Sequence, residues 1–254
     1  MDSAEILQEI AGQVAVCTAC QLSLSRKKAV PGEGPVSARV MLIGEGPGFH
    51  ENEQGRPFVG AAGQYLNELL EKAGVSRSDV FITNVVKCRP PGNRDPLPEE
   101  LSACGSYLDR QIELINPLVI VTLGRYSMGK FLPNVKISEV HGKPAWIRGR
   151  LIVPMFHPAA ALHQPSLKAS VERDFARLQE WIGQASQNTR TAEPSLSILE
   201  RPTVRPIVET PPIIAPQQQD LFSQLDLFGQ QTEPPKEEEE SLGKHDQPTQ
   251  LSLF

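Results

Sequence analysis

Four cysteines have the residue type and spacing that point most directly to chemistry. Cys17-Thr18-Ala19-Cys20 is followed by Cys88 after 67 residues and by Cys104 after a further 15. One close pair and two distant single thiols can meet around one centre only if the fold returns a strand end and a helix to the N-terminal segment. The paired-knuckle spacing of structural zinc sites is absent, because Cys88 and Cys104 do not form a second C-x-x-C. A 4Fe-4S cluster accepts four such thiolates. On spacing alone three readings stay open, in this order: an iron–sulfur cluster, a zinc site, and unligated buried thiols. A disulfide ranks below metal ligation if the compartment is reducing.

A second group of reactive residue types lies in a glycine-rich stretch, Gly44-Glu45-Gly46-Pro47-Gly48, followed by Gln54-Gly55-Arg56-Pro57-Phe58-Val59-Gly60. It matches neither G-x-G-x-x-G nor a phosphate-binding P-loop. Glycine content alone is satisfied by a tight strand-to-helix turn. That turn does not account for Glu45, Glu51, Arg56 and Phe58 crowding into one loop. His157, in His-Pro-Ala-Ala after an apolar run, is a further candidate, although a single histidine is more often structural.

The elements that must position these residues alternate. Ile6, Leu7, Ile10 and Val14 recur at helical spacing over residues 5–16, which lead into Cys17. Apolar runs at 40–43, 81–86 and 118–123 alternate with helical stretches at 64–73 and at 99–114, the latter opened by Pro98. A strand pair near 145–153 and a last helix around 167–181 follow. This order predicts α/β units on a mainly parallel sheet. Ligands of such sheets lie beyond the carboxyl ends of the strands, which singles out 44–48, Asn84, Gly124 and His157.

The net charge of −5 divides unevenly: residues 186–254 carry −6 and residues 1–185 carry +1. The acidic balance therefore does not exclude a nucleic-acid partner for the body of the chain. From about residue 186 the composition turns to Pro, Gln, Thr and Glu, with nine of the 23 prolines and an acidic run at 237–240. This segment is expected to be disordered. The opening residues lack a secretory pattern, and no stretch has the roughly 18 apolar residues of a membrane span, so a cytoplasmic protein without membrane association is expected.

In order along the chain, GEGPG with QGRPFVGAAGQYL, TNVVKCRPPGNRDP and HPAAALHQPSLK, interleaved with the four cysteines, resemble the family 4 uracil-DNA glycosylases, the iron–sulfur branch of that superfamily. The likeness covers roughly residues 1–182. It implies a three-layer α/β/α fold with a central, mainly parallel four-stranded sheet in residues 1–185. It also implies a 4Fe-4S cluster on Cys17, Cys20, Cys88 and Cys104, structural in role, and hydrolysis of the N-glycosidic bond of uracil flipped out of DNA.

The resemblance assigns roles that chemistry can check. Phe58 would supply a stacking face. The Asn84 amide would offer a donor to O4 of uracil and an acceptor to N3–H, a pattern that cytosine reverses. His157 would donate to O2, where charge builds as the bond breaks. Glu45, with the backbone of Gly46 and Pro47 beside it, would position water. Another branch has an Asp where this chain has Gly46, so a strong general base is not evident. Glu51 would stand near C5 and crowd a thymine methyl. Ala160, Ala161 and Leu162 would form an apolar tip entering the minor groove. His163 stands where family members often carry Arg. Arg26, Lys27, Arg89, Arg94 and Lys168 are candidate phosphate contacts.

The segments 218–222, 224–228 and 250–254 repeat a Gln, Leu and Phe pattern that resembles the bacterial sliding-clamp-binding peptide, so a clamp partner is expected, with the enzyme itself a monomer. The competing readings are a glycosylase for another deaminated base, a non-catalytic iron–sulfur DNA-binding relative, and a redox flavoprotein. The missing phosphate fingerprint argues against the last.

Overall fold

The computed structural model describes residues 2–191, with side chains to 188. The acidic tail, apart from its first six residues, lies outside them, as do the three clamp-like segments. Five strands form one sheet: β1 Val40–Gly44, β2 Val80–Asn84, β3 Val119–Leu123, β4 Ala145–Ile147 and β5 Arg150–Met155, in the order β2-β1-β3-β5-β4. The first three and β5 are parallel; β4 adds antiparallel to β5. The four-stranded parallel core is as expected, and the edge hairpin extends it to five. Residues on every parallel strand are buried on both faces, which is why these segments read as unbroken apolar runs.

The helices are α1 Ser3–Val16, α2 Leu22–Ser25, α3 Phe49–Gln54, α4 Ala61–Lys72, α5 Pro98–Ile115, α6 Arg125–Gly129, α7 Ile137–Val140, α8 Pro158–His163, α9 Lys168–Ala176 and α10 Leu178–Thr191. Asp2 and Glu5 close a capping box on α1. On one face of the sheet, Leu66, Leu69 and Leu70 of α4, Phe175 of α9 and Trp181 of α10 pack on Val40, Leu42, Val121 and Val153. On the other, Leu108, Ile112 and Ile115 of α5 pack on Met41, Ile43 and Ile120. Helices on both faces give three layers.

The helix expected over 167–181 is divided: the chain breaks at Arg177, and the second part runs on to Thr191. The run at 81–86 also outlasts its strand. β2 ends at Asn84, and the amides of Val85 and Val86 turn back to the carbonyls of Gly44 and Glu45. The strand order reverses about β1, so a crevice opens at the carboxyl ends of the central strands.

Candidate active site

A cavity of about 400 Å³ occupies that crevice. The loop after β1 lines it with Glu45, Gly46, Pro47 and Gly48; α3 adds Glu51, and the loop beyond adds Phe58. The end of β2 contributes Asn84, the following loop Pro90, Asn93 and Arg94, and the chain beyond β5 gives His157, Ala159 and His163. Every residue for which the resemblance implies contact with uracil lines this one space.

Asn84 closes β2 opposite Gly44 in the parallel register and is 1% exposed. Its Oδ1 is buried without a hydrogen-bond partner, a state that usually signals an absent ligand or water. Glycine at 44 is a packing requirement, since a Cβ there would lie 2.4 Å from that Oδ1 and 2.7 Å from the Phe58 ring.

Phe58 adopts the left-handed region at φ 51°, uncommon for an aromatic residue. Three contacts hold it there. Arg77 donates to the carbonyls of Pro57 (2.7 Å) and Phe58 (3.3 Å), and Gly63 lets α4 approach so closely that a Cβ would stand 2.0 Å from the Phe58 carbonyl oxygen. The ring lies 5.4 Å from the His157 ring at an interplanar angle of 26°. Glu51 braces the same loop, its Oε1 accepting from the amides of Val59 (2.8 Å) and Gly60 (2.9 Å) where α4 begins.

His157 caps α8. Its Nδ1 accepts from the Ala159 amide at 3.1 Å, so Nδ1 is bare and Nε2 carries the proton. Burial holds its pKa down, to about 4, against a weaker upward pull from Glu51. Glu45 is shifted the other way. Burial raises its carboxyl above the usual range, Asp95 adds to the rise, and Arg125 opposes it. Asp95 and Arg125 are themselves an ion pair.

The expected apolar tip divides. Leu162 is 47% exposed, whereas Ala161 is 6% exposed and packs into the core, because one turn of α8 cannot point adjacent residues the same way. Ala160 is half-buried, and Lys168 lies over the Tyr65 ring. Among the candidate phosphate contacts, Arg94 is held by both oxygens of buried Glu100 and Lys27 pairs with Glu53. Arg26 turns inward, to Cys88 Sγ (3.2 Å) and the carbonyls of Cys17 and Ala15.

The four cysteines line a second, small cavity between α1, α2, the loop after β2 and α5. Among the described residues no group of His, Cys, Asp or Glu closes on a single-ion site. The lining includes four thiols and no carboxylate or imidazole, and N–H groups point at sulfur: Arg26 at Cys88, the Lys87 amide at Cys104 (3.2 Å) and the Ala19 amide at Cys17 (3.5 Å). This donor set suits an iron–sulfur cluster held by thiolates and hydrogen-bonded at sulfur. Burial first, and the neighbouring thiols after it, push Cys104 up to about 11 and raise Cys88 against the opposing pull of Lys87 and Arg26, a penalty that a cationic centre would reverse.

Lys87 joins the two sites and went unnoticed in the sequence. Its buried Nζ donates to Thr83 Oγ1 (2.5 Å), Gln111 Oε1 (2.8 Å) and the Asn84 carbonyl (2.9 Å), and burial lowers its pKa to about 7. A lysine inside the apolar run Val85, Val86, Lys87 was the available signal. Asn93 was legible only as part of a polar loop and Arg94 only as a candidate phosphate contact; their place in the pocket comes from the path of that loop.

Comparison with known proteins agrees with this geometry. A model of the uracil DNA glycosylase superfamily matches residues 31–180. The type-4 uracil-DNA glycosylase of Thermotoga maritima is 46% identical over 183 residues, 70% of this chain and 95% of the relative. That of Saccharolobus solfataricus is 50% identical over 184 residues, 68% of this chain and 85% of the relative. A type-5 uracil-DNA glycosylase of Thermus thermophilus is 38% identical over 127 residues, 44% of this chain and 58% of the relative.

Proposed function

The chain belongs to the uracil DNA glycosylase superfamily, in its type-4 group, and from that premise we propose how its residues remove uracil from DNA and leave an abasic site. The observation that carries the reading is the unpartnered Oδ1 of Asn84 at the wall of a cavity shared with Phe58 and His157. Uracil needs an edge that accepts from N3–H, and a flipped base needs a face to stack on. Asn84 supplies the first and Phe58 the second.

Bond breaking sends the N1–C1′ electron pair into the ring and leaves an oxocarbenium-like sugar. The charge that builds on O2 meets the Nε2–H of neutral His157, a donor already oriented by the Ala159 amide. Glu45 and the Gly46 amide hold the water whose oxygen bonds to C1′. The water's proton passes to Glu45 or to solvent as the uracil anion leaves. Positioning supplies most of the effect because the sugar cation is strongly electrophilic. Glu51, anchored at the start of α4, stands where a thymine methyl would enter. Leu162, with Ala160 and His163 beside it, fills the space that the flipped nucleotide leaves, and Lys168 meets the backbone.

A 4Fe-4S cluster on Cys17, Cys20, Cys88 and Cys104 would cross-link α1 to the loop after β2 and to α5, and supplies no step of the hydrolysis. The enzyme acts as a cytoplasmic monomer, and the segments 218–222, 224–228 and 250–254 tether it to the sliding clamp. No helix among the described residues is long and apolar enough to cross a membrane.

The test is excision from a labelled oligonucleotide with one uracil, beside a thymine control, by wild type and Asn84→Ala. Wild type is expected to cleave at uracil alone, and Asn84→Ala to lose at least about 100-fold in rate while keeping its Tm. Wild-type turnover by Asn84→Ala would remove that residue from the site.

A further inference from the structure

Phe49 opens α3 and is 55% exposed, a large apolar side chain that no core cluster absorbs. It directly follows Gly48, which lines the active-site cavity, so it stands on the rim. The Arg89 guanidinium lies 5.5 Å from the centroid of its ring, and the His50 ring meets it edge-on at 5.4 Å and 84°. Arg89 is also a rim residue: Pro90 follows it, and its Nε donates at 2.9 Å to Asn93 Oδ1, both of them cavity-lining residues. Among the described residues no carboxylate pairs with Arg89, which leaves its terminal nitrogens available. An aromatic face beside a cation held in place from behind is how proteins receive a base together with its phosphate.

We propose that Phe49 and Arg89 form a subsite for the nucleotide next to the flipped one, the ring stacking on its unpaired base and the guanidinium taking its phosphate. The inference rests on the uracil-excision reading and extends it to a part of the substrate outside the cavity. It makes an unpaired neighbour favourable, and therefore favours single-stranded or locally melted DNA.

The test is single-turnover excision at varied enzyme concentration with the full chain. The probes are a uracil-containing single strand and two copies in which the nucleotide on one side or the other is replaced by an abasic spacer. Phe49→Ala is expected to raise the half-saturating concentration about fivefold or more on the intact strand. With the spacer on the side that the subsite serves, wild type should weaken similarly and Phe49→Ala add little. Phe49→Trp should restore intact-strand binding, and Arg89→Ala should reduce the slope of log affinity against log salt by about 0.7. Wild-type affinity in Phe49→Ala, or the same loss with either spacer, would overturn the proposal, the second outcome assigning Phe49 to the shape of its loop. Failure of wild type to release uracil would instead overturn the excision reading. Fluorescence anisotropy on the same three strands would then still decide the subsite.

Discussion

The backbone amide of Ala159 donates to Nδ1 of His157 at 3.1 Å, and this bond settles which nitrogen of the ring faces the cavity with a proton. An imidazole that accepts at Nδ1 is neutral and donates from Nε2. Burial agrees, lowering the pKa to about 4. Nitrogen-detected NMR should therefore show one His157 tautomer, protonated at Nε2, unchanged between pH 8 and about 5. A midpoint near the ordinary histidine value would overturn the assignment. The linkage runs the same way: the unfolded ring binds its proton near 6.5 and the folded ring near 4, so stability is held above about 6.5 and lost as pH falls towards 4.

On the proposed mechanism, Glu45 would set the acid limit of activity. Its carboxyl is raised by burial and by Asp95 and lowered by Arg125, so it gains a proton at higher pH than an ordinary glutamate. Protonation removes an acceptor for the attacking water, and the excision rate should fall as pH drops through that raised value. Arg125→Ala removes the one opposing charge and leaves Asp95 unpaired, so the acid limb should move to higher pH. Glu45→Gln should lose about 100-fold in rate and abolish the limb. A limb that stays in place in both variants belongs to another group.

How much of this was legible follows from which signals are local. The strand runs were readable because parallel strands bury both faces, and the cavity-lining positions because they follow those runs. The orientation of Ala161 was not, since a single-turn helix offers too little periodicity to tell its faces apart. The left-handed Phe58 was hidden for another reason: its conformation is imposed from outside by Arg77 and by the approach of α4 at Gly63, neither adjacent in sequence. α2, α3, α6 and α7 were missed because four to six residues show no helical period. The cysteines were readable as a set, yet Arg26 was read as a DNA contact because nothing local tells an inward arginine from an outward one.

Gly63 tests the support of the proposed stacking face, Phe58. A methyl group there would overlap the Phe58 carbonyl, so α4 or the loop must shift. Gly63→Ala should cost about 1–3 kcal/mol and lower the Tm by several degrees. It should also reduce excision more than stability alone explains. Gly105→Ala is the control, since Gly105 sits in α5 with no atom within 4 Å of the added group, and it should be neutral or stabilising by about 1 kcal/mol. Equal behaviour of the two variants would remove Gly63 from the argument.

The cysteine cavity predicts a separation between holding a cluster and protecting it. Cys104→Ala removes one of four thiols and should abolish the visible absorption of the purified protein. Losing a cross-link that closes the 67-residue interval between Cys20 and Cys88 costs roughly 4 kcal/mol by loop-closure entropy. That cost should appear as a lower denaturation midpoint even when the protein still folds. Arg26→Met keeps all four thiols but removes the donor to Cys88 Sγ and the ties to the carbonyls of Cys17 and Ala15. It should retain the absorption when purified without oxygen and bleach faster than wild type in air or chelator, with excision declining in step with stability. If Cys104→Ala kept both colour and stability, the four thiols would hold no common group. If Arg26→Met bleached no faster than wild type, the arginine would pack α1 without guarding sulfur.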